Sequence, residues 1–167
     1  MTFAPHTYVL NQKLLSLGGD LWIEDEAGNQ AYAVAGKVLS LRRIHTLVDL
    51  SGNELYVIGQ SLAHVRRTFE IKRHDEVIVT IQQALINILG DHFTVTLADG
   101  TVFSVTGDFI NREFHVTRNG TDVIFASRRL LSIRDSYGVQ IAPDFEVPLG
   151  LAIVVGLEQM EIEERQR

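Results

Sequence analysis

No cysteine occurs in this chain of 167 residues, which excludes a disulfide framework and thiolate metal sites and fits a reducing compartment. Nor is there a basic excess. Fifteen lysines and arginines stand against 21 aspartates and glutamates, a formal net charge of −6, which argues against a dedicated nucleic-acid binder. A bilayer-spanning helix takes about 20 apolar residues. The most apolar stretch here, Val147 to Leu157, has eleven residues without a charge and is bounded by Glu146 and Glu158. The opening Met1-Thr2-Phe3-Ala4-Pro5-His6 lacks the basic start and apolar core of a secretory signal, so the expected location is the cytoplasm.

Signatures of chemistry are equally sparse. Gly59-Gln60-Ser61-Leu62-Ala63 lacks the final glycine of a nucleophile elbow, and there is no phosphate loop, zinc-protease helix or dinucleotide fingerprint. Asp25-Glu26-Ala27-Gly28-Asn29 lacks the ligand spacing and closing glutamate of a calcium loop. His6, His45, His64, His74, His92 and His115 show no metal-ligand spacing. The expectation is therefore a protein that is not an enzyme and carries no metal or cofactor.

What the chain does have is a period. Leu14-Leu15-Ser16-Leu17 returns as Val38-Leu39-Ser40-Leu41, Leu85-Ile86-Asn87-Ile88 and Leu130-Leu131-Ser132-Ile133, with weaker copies closing on Val65 and Ile110. The six endings are 24, 24, 23, 22 and 23 residues apart, and a fixed period is a signature of architecture. Between the phrases lie turn signals, Gly28-Asn29, Gly52-Asn53, Asp99-Gly100 and Asn119-Gly120, with His74-Asp75 the weakest. β-Branched and aromatic residues alternate around them, as in Phe93-Thr94-Val95-Thr96-Leu97 and Thr101-Val102-Phe103-Ser104-Val105. Five hairpins, one strand near 7–11 and one near 134–141 make twelve strands. Val77 to Leu89 suits a helix by apolar periodicity alone, but the repeat assigns it to strands.

The terminal segment is apolar on every face of the helical wheel, which predicts a buried helix, with Asp144 as N-cap and Pro148 tolerated near the first turn. The predicted fold is mainly β: a closed, twelve-stranded antiparallel barrel wrapped around one C-terminal helix. It forms a single domain over 1–167, with a core of about 7–160 and an acidic tail at 161–167.

Tyr8-Val9-Leu10-Asn11-Gln12-Lys13-Leu14, the hairpins at Asp25-Glu26-Ala27-Gly28 and Asp49-Leu50-Ser51-Gly52, Ser127-Arg128-Arg129, and Tyr137-Gly138-Val139-Gln140-Ile141 leading into the apolar helix are together similar to the LURP-one-related family. That family sits in the tubby C-terminal-like superfamily with the phospholipid scramblases. The resemblance covers about 7–160 and implies a tubby-like barrel around a central helix. It implies no established enzymatic reaction. Relatives in the superfamily bind phosphoinositides or act on phospholipids, but their lipid-binding and calcium motifs have no match here.

Strands that each cross the barrel once gather all repeated phrases at one end and all tight turns at the other. The phrase end collects Lys13, Lys37, Arg42, Arg43, Arg66, Arg67, Arg112, Arg128, Arg129 and Arg134 against Asp20, Asp91, Asp108, Glu113 and Asp135, ten positive charges to five negative. The turn end is acidic. From Lys37 through Arg134 these basic residues form a candidate rim for an anionic lipid headgroup or a phosphorylated ligand, at a peripheral position on a membrane. Two plainer readings compete. The arginines cap strand ends and pair locally, or Glu161, Glu163 and Glu164 emerge beside the rim and neutralise it. The alternative function is a scramblase-like, membrane-associated protein acting on phospholipids through the C-terminal helix.

Overall fold

The computed structural model describes residues 5–11, 21–39, 42–85, 91–108, 111, 113–130 and 136–165. Twelve strands follow one another: β1 (His6–Asn11), β2 (Leu21–Asp25), β3 (Gln30–Leu39), β4 (Arg42–Asp49), β5 (Glu54–Ser61), β6 (Thr68–Arg73), β7 (Glu76–Gln83), β8 (Asp91–Leu97), β9 (Val102–Asp108), β10 (Glu113–Arg118), β11 (Thr121–Ser127) and β12 (Ser136–Ile141). A single 3-10 turn, Arg128–Leu130, precedes β12, and helix α1 (Val147–Arg165) follows it.

Turn chemistry sets where the strands end. His74 and Asp75 have φ of 49° and 64°, and Asn119 and Gly120 have 51° and 78°, so both pairs form two-residue hairpin turns of the kind that matches strand twist. His74-Asp75, the weakest signal in the sequence, makes as regular a turn as Asn119-Gly120. The first hairpin works differently: Gly28, at φ 82°, closes a longer loop in which Gly28 N donates to Asp25 O at 3.0 Å and Asp25 N to Asn29 O at 2.8 Å. The extra residue appears as a register shift between Ile23 and Glu24.

Each strand pairs with its sequence neighbours, and β1 pairs with β12 from His6↔Ile141 to Asn11↔Ser136, which closes the ring. Closure leaves no free sheet edge. Because all neighbours are antiparallel, the five turns that carry the turn signals lie at one end and the other six connections at the opposite end. Val77 to Gln83 is strand, as the period requires.

Alternate residues point inward, and the interior they line is filled by α1. Every residue from Gly150 to Met160 is buried, so no face of this part of the helix meets water. Leu151, Ile153, Val154, Val155, Leu157 and Met160 contribute about 1.5–3 kcal/mol each, together about 9–18 kcal/mol. That matches or exceeds the whole net stability of an ordinary domain, about 5–15 kcal/mol. The helix is therefore the centre of the core, which the inward rows of all twelve strands complete. Two glycines set its distance from the wall: a Cβ at Gly156 would lie 2.7 Å from Ile81 Cδ1, and one at Gly150 would lie 2.9 Å from Ile141 Cδ1.

The start of the helix differs from the expected one. Asp144 is not the N-cap: Gly150 N donates to the Glu146 carbonyl at 3.0 Å, which gives Glu146 that position. Residues 142–145 are used for a turn, with Phe145 N donating to Ala142 O at 3.0 Å and the Phe145 ring edge-on to Phe103 at 5.8 Å.

Candidate functional site

Strand β6 carries an arginine at each limit, and the two hold opposite ends of α1. Arg73, its last residue, donates to both Glu146 carboxylate oxygens at 3.1 and 3.4 Å and also to the Tyr56 hydroxyl. Tyr56 in turn donates to Glu146 Oε1 at 2.8 Å, and the Arg73 guanidinium lies 4.9 Å from the centre of its ring. Burial, and then the bond to the Glu146 carboxylate, push the Tyr56 hydroxyl up to about 12. At the other limit Arg67, immediately before β6, donates to Met160 O at 2.6 Å and to Glu163 Oε2 at 3.0 Å. Its side chain is only 10 % exposed, and its buried Nε has no partner among the described residues. A cation at the C-terminal part of a helix is also favoured by the helix dipole.

Arg67 is thus turned inward to the helix rather than outward on a rim, and Glu163 meets it there, as one of the plainer readings expected. Arg66 points across to the next strand, where it donates to the Gln83 carbonyl. Its own carbonyl accepts from Thr68 Oγ1 at 2.9 Å, and that hydroxyl accepts from Gln82 Nε2 at 3.0 Å. Arg128 is exposed in the 3-10 turn beside Arg129. The backbones of Lys37, Arg42 and Arg43 lie in β3 and β4 at the same end, with Val38 opposite Arg43 and Leu39 opposite Arg42. Arg112 and Arg134 lie outside the described residues. The backbone therefore brings Lys37, Arg42, Arg43, Arg66, Arg128 and Arg129 to the connection end, while Arg67 is committed to α1.

At the turn end the acids serve the turns. Asp49 Oδ1 accepts from Ser51 N and Asn53 N at 2.9 Å each, and Oδ2 accepts from Asn53 Nδ2 at 2.9 Å. These bonds, that from the Asn53 side chain foremost, hold the Asp49 carboxyl below the usual aspartate range. Asp25 repeats the pattern with Ala27 N and Asn29 N, and Asp99 with Thr101 N. A shallow depression of about 280 Å³ opens here between Pro5, His6, Tyr8, Asp25 and Glu26. Another of about 120 Å³ lies beside the Tyr56, Arg73 and Glu146 cluster. Among the described residues no three histidines or carboxylates gather as a metal site.

The arginine clamps were not legible in the sequence. Arg67 and Glu163 are 96 residues apart and Arg73 and Glu146 are 73 apart, so no local spacing links them. The nearest signal was the expected return of the acidic tail to the basic end.

A family model described as LURP-one-related matches residues 6–158. No curated protein matches the chain. Among solved structures, the X-ray structure of a protein from Arabidopsis thaliana superposes with a TM-score of 0.67 at 20% identity, covering 95% of this chain and 92% of that one. At that identity the likeness speaks for the fold alone, and it agrees with the closed barrel around a single helix. With the family model spanning all twelve strands and most of α1, the chain belongs to the LURP-one-related family.

Proposed function

We propose that the protein is a non-enzymatic binding module whose connection end recognises an anionic group, either a phosphorylated small molecule or a phospholipid headgroup. The observation that supports this reading is topological. Antiparallel closure collects Lys37, Arg42, Arg43, Arg66, Arg128 and Arg129 at one end of the barrel, while acids such as Asp25, Asp49 and Asp99 hold the turns at the other. Each basic residue near an anionic surface contributes about 1 kcal/mol, so four or five acting together suffice for measurable, salt-sensitive binding. Arg67 enters as a positioning residue, through α1. The LURP-one-related barrel is not a known enzyme class, and a closed barrel with a filled interior suits recognition at its rim. In this reading the protein works in the cytoplasm, at the periphery of a membrane or on a phosphorylated ligand.

A scramblase-like use of α1 draws no support from a helix buried on all sides between Gly150 and Met160, and no described helix is long and apolar enough to cross a membrane. The test is titration of inositol hexakisphosphate and of phosphatidylserine vesicles against the wild type and an R42A/R43A/R66A/R128A variant, at low and high salt. Loss of binding in the variant is the expected result. Equal binding by the two proteins rules out the rim.

A further inference from the structure

Two of the apolar phrase residues that mark the sequence repeat do not enter the core. Val65 is fully exposed, and Leu85 is 78 % exposed. Leu62, in the same β5–β6 loop as Val65, is 70 % exposed. All three stand at the connection end, on the β5–β6 loop and just beyond β7. Of the seven large apolar side chains exposed among the described residues, these three are the most exposed, and they share one end of the barrel.

They are also held on a firm mount. Arg66 binds the Gln83 carbonyl, which ties the β5–β6 loop to the end of β7 two residues before Leu85. Thr68 Oγ1 bridges the Arg66 carbonyl and Gln82 Nε2 at 2.9 and 3.0 Å. Arg67 anchors the base of the same loop to the Met160 carbonyl inside the barrel. Immediately before Leu85, Ala84 N donates to His92 O at 3.0 Å across the β7–β8 connection. The tips thus project from a hydrogen-bonded base, with Arg66 next to Val65 in the chain, the backbones of Arg42 and Arg43 at the same end, and His64 of the loop 3.3 Å from Glu70.

We infer that Leu62, Val65 and Leu85 are membrane anchors that enter the interface of an anionic bilayer while the neighbouring basic residues meet its headgroups. The inference rests on the rim reading above and narrows its partner from any phosphorylated group to a lipid surface. Charge complementarity selects this occupant: apolar tips flanked by cations match a surface that is greasy beneath an anionic layer. A second copy of the chain would bring like charges together at this end.

The experiment compares wild type, L62S/V65S/L85S and R42A/R43A/R66A/R128A by sedimentation with phosphatidylcholine vesicles with and without phosphatidylserine, and by titration with inositol hexakisphosphate. The serine substitutions are at exposed positions, and an unchanged unfolding midpoint verifies the fold. The expected result is that the serine variant binds phosphatidylserine vesicles at least about tenfold more weakly, yet binds the soluble phosphate like wild type. In addition, a tryptophan at position 65, introduced as V65W in a W22F background, shifts its emission to the blue with phosphatidylserine vesicles. Equal vesicle binding by wild type and the serine variant overturns the anchors while leaving the rim intact. Equal binding of both ligands by wild type and the arginine variant overturns the rim itself. Concentration-dependent self-association that the serine variant abolishes, with no vesicle binding, overturns the lipid assignment in favour of a second copy.

Discussion

Replacing Gly156 by alanine sets two known effects against each other at the one place where the helix most closely approaches the wall. Alanine is the better helix former by about 1 kcal/mol. Its Cβ, however, would sit 2.7 Å from Ile81 Cδ1 and 3.5 Å from Ile58 Cγ2, and overpacking of that kind costs about 1–3 kcal/mol. The net expectation for G156A is a loss of up to about 2 kcal/mol, moderated because Cδ1 is the free end of a side chain that can rotate. Ile81→Val alone leaves a small void and costs about 0.5–1.5 kcal/mol. Together the two changes exchange one methyl for another in the same space, so the double variant should recover most of the loss and show a favourable coupling of about 1 kcal/mol or more. Gly150→Ala provides a contrast. Three atoms of Ile141 lie 2.9–3.4 Å from its Cβ, including both branches at Cγ, so the neighbour cannot clear the space with one rotation and the cost should be larger. Urea unfolding of the four proteins in the Gly156/Ile81 cycle, with m-values compared, gives the answer. Strict additivity would refute the close approach of Gly156 to Ile81.

Other outcomes follow from the same geometry. Val154→Asp or Gly156→Glu buries a charge without a partner and should abolish soluble expression, whereas Gly28→Ala, in open space at φ 82°, should cost about 1 kcal/mol by thermal unfolding. Arg67→Met removes the bonds to the Met160 carbonyl and Glu163, and should cost about 1–3 kcal/mol, more than Glu163→Gln, which keeps a partner for the guanidinium. Tyr56 should be the last of the described tyrosines to ionise in a 295 nm alkaline titration. Its folded value is raised above its unfolded value, so the stability it contributes is intact below about pH 10 and lost as pH rises towards 12, a loss absent in Tyr56→Phe. Asp49 is the opposite case. Its lowered carboxyl stabilises the fold above the ordinary aspartate value of 3.8 and ceases to do so as pH falls below it, and Asp49→Ala should remove that part of the acid sensitivity seen by circular dichroism.

Much of the architecture could be read from residue order because it is made of local rules repeated. The period assigned the helix-like apolar run Val77 to Leu89 to strands, as Val77 to Gln83 is (86–89 lie outside the described residues), and the uncharged stretch after Glu146 announced a helix with no solvent face. Local rules also failed where a distant partner intervened. Asp144 is the better N-cap by residue type, but Glu146 holds the position while its carboxylate faces Tyr56 and Arg73. Arg67 has the same local setting as Arg66, yet one enters the barrel to hold α1 and the other lies across the β7 edge. Val65 closes a weaker copy of the apolar phrase and Leu85 opens a clear one, and only the assembled barrel shows both in water.

In chain order α1 follows all twelve strands, and the seam between β1 and β12 joins segments 130 residues apart in their central pairing, Tyr8↔Val139 being typical. On a ribosome adding about 5–20 residues per second, the wall is therefore made over roughly ten to thirty seconds before its stuffing emerges. For that interval the inward rows, Ile58 and Phe69 among them, have nothing to rest on, and the sheet has two open margins ready to join those of another nascent chain. The cell must shield this half-made vessel, and a message truncated before Val147 yields a product for which shielding never ends.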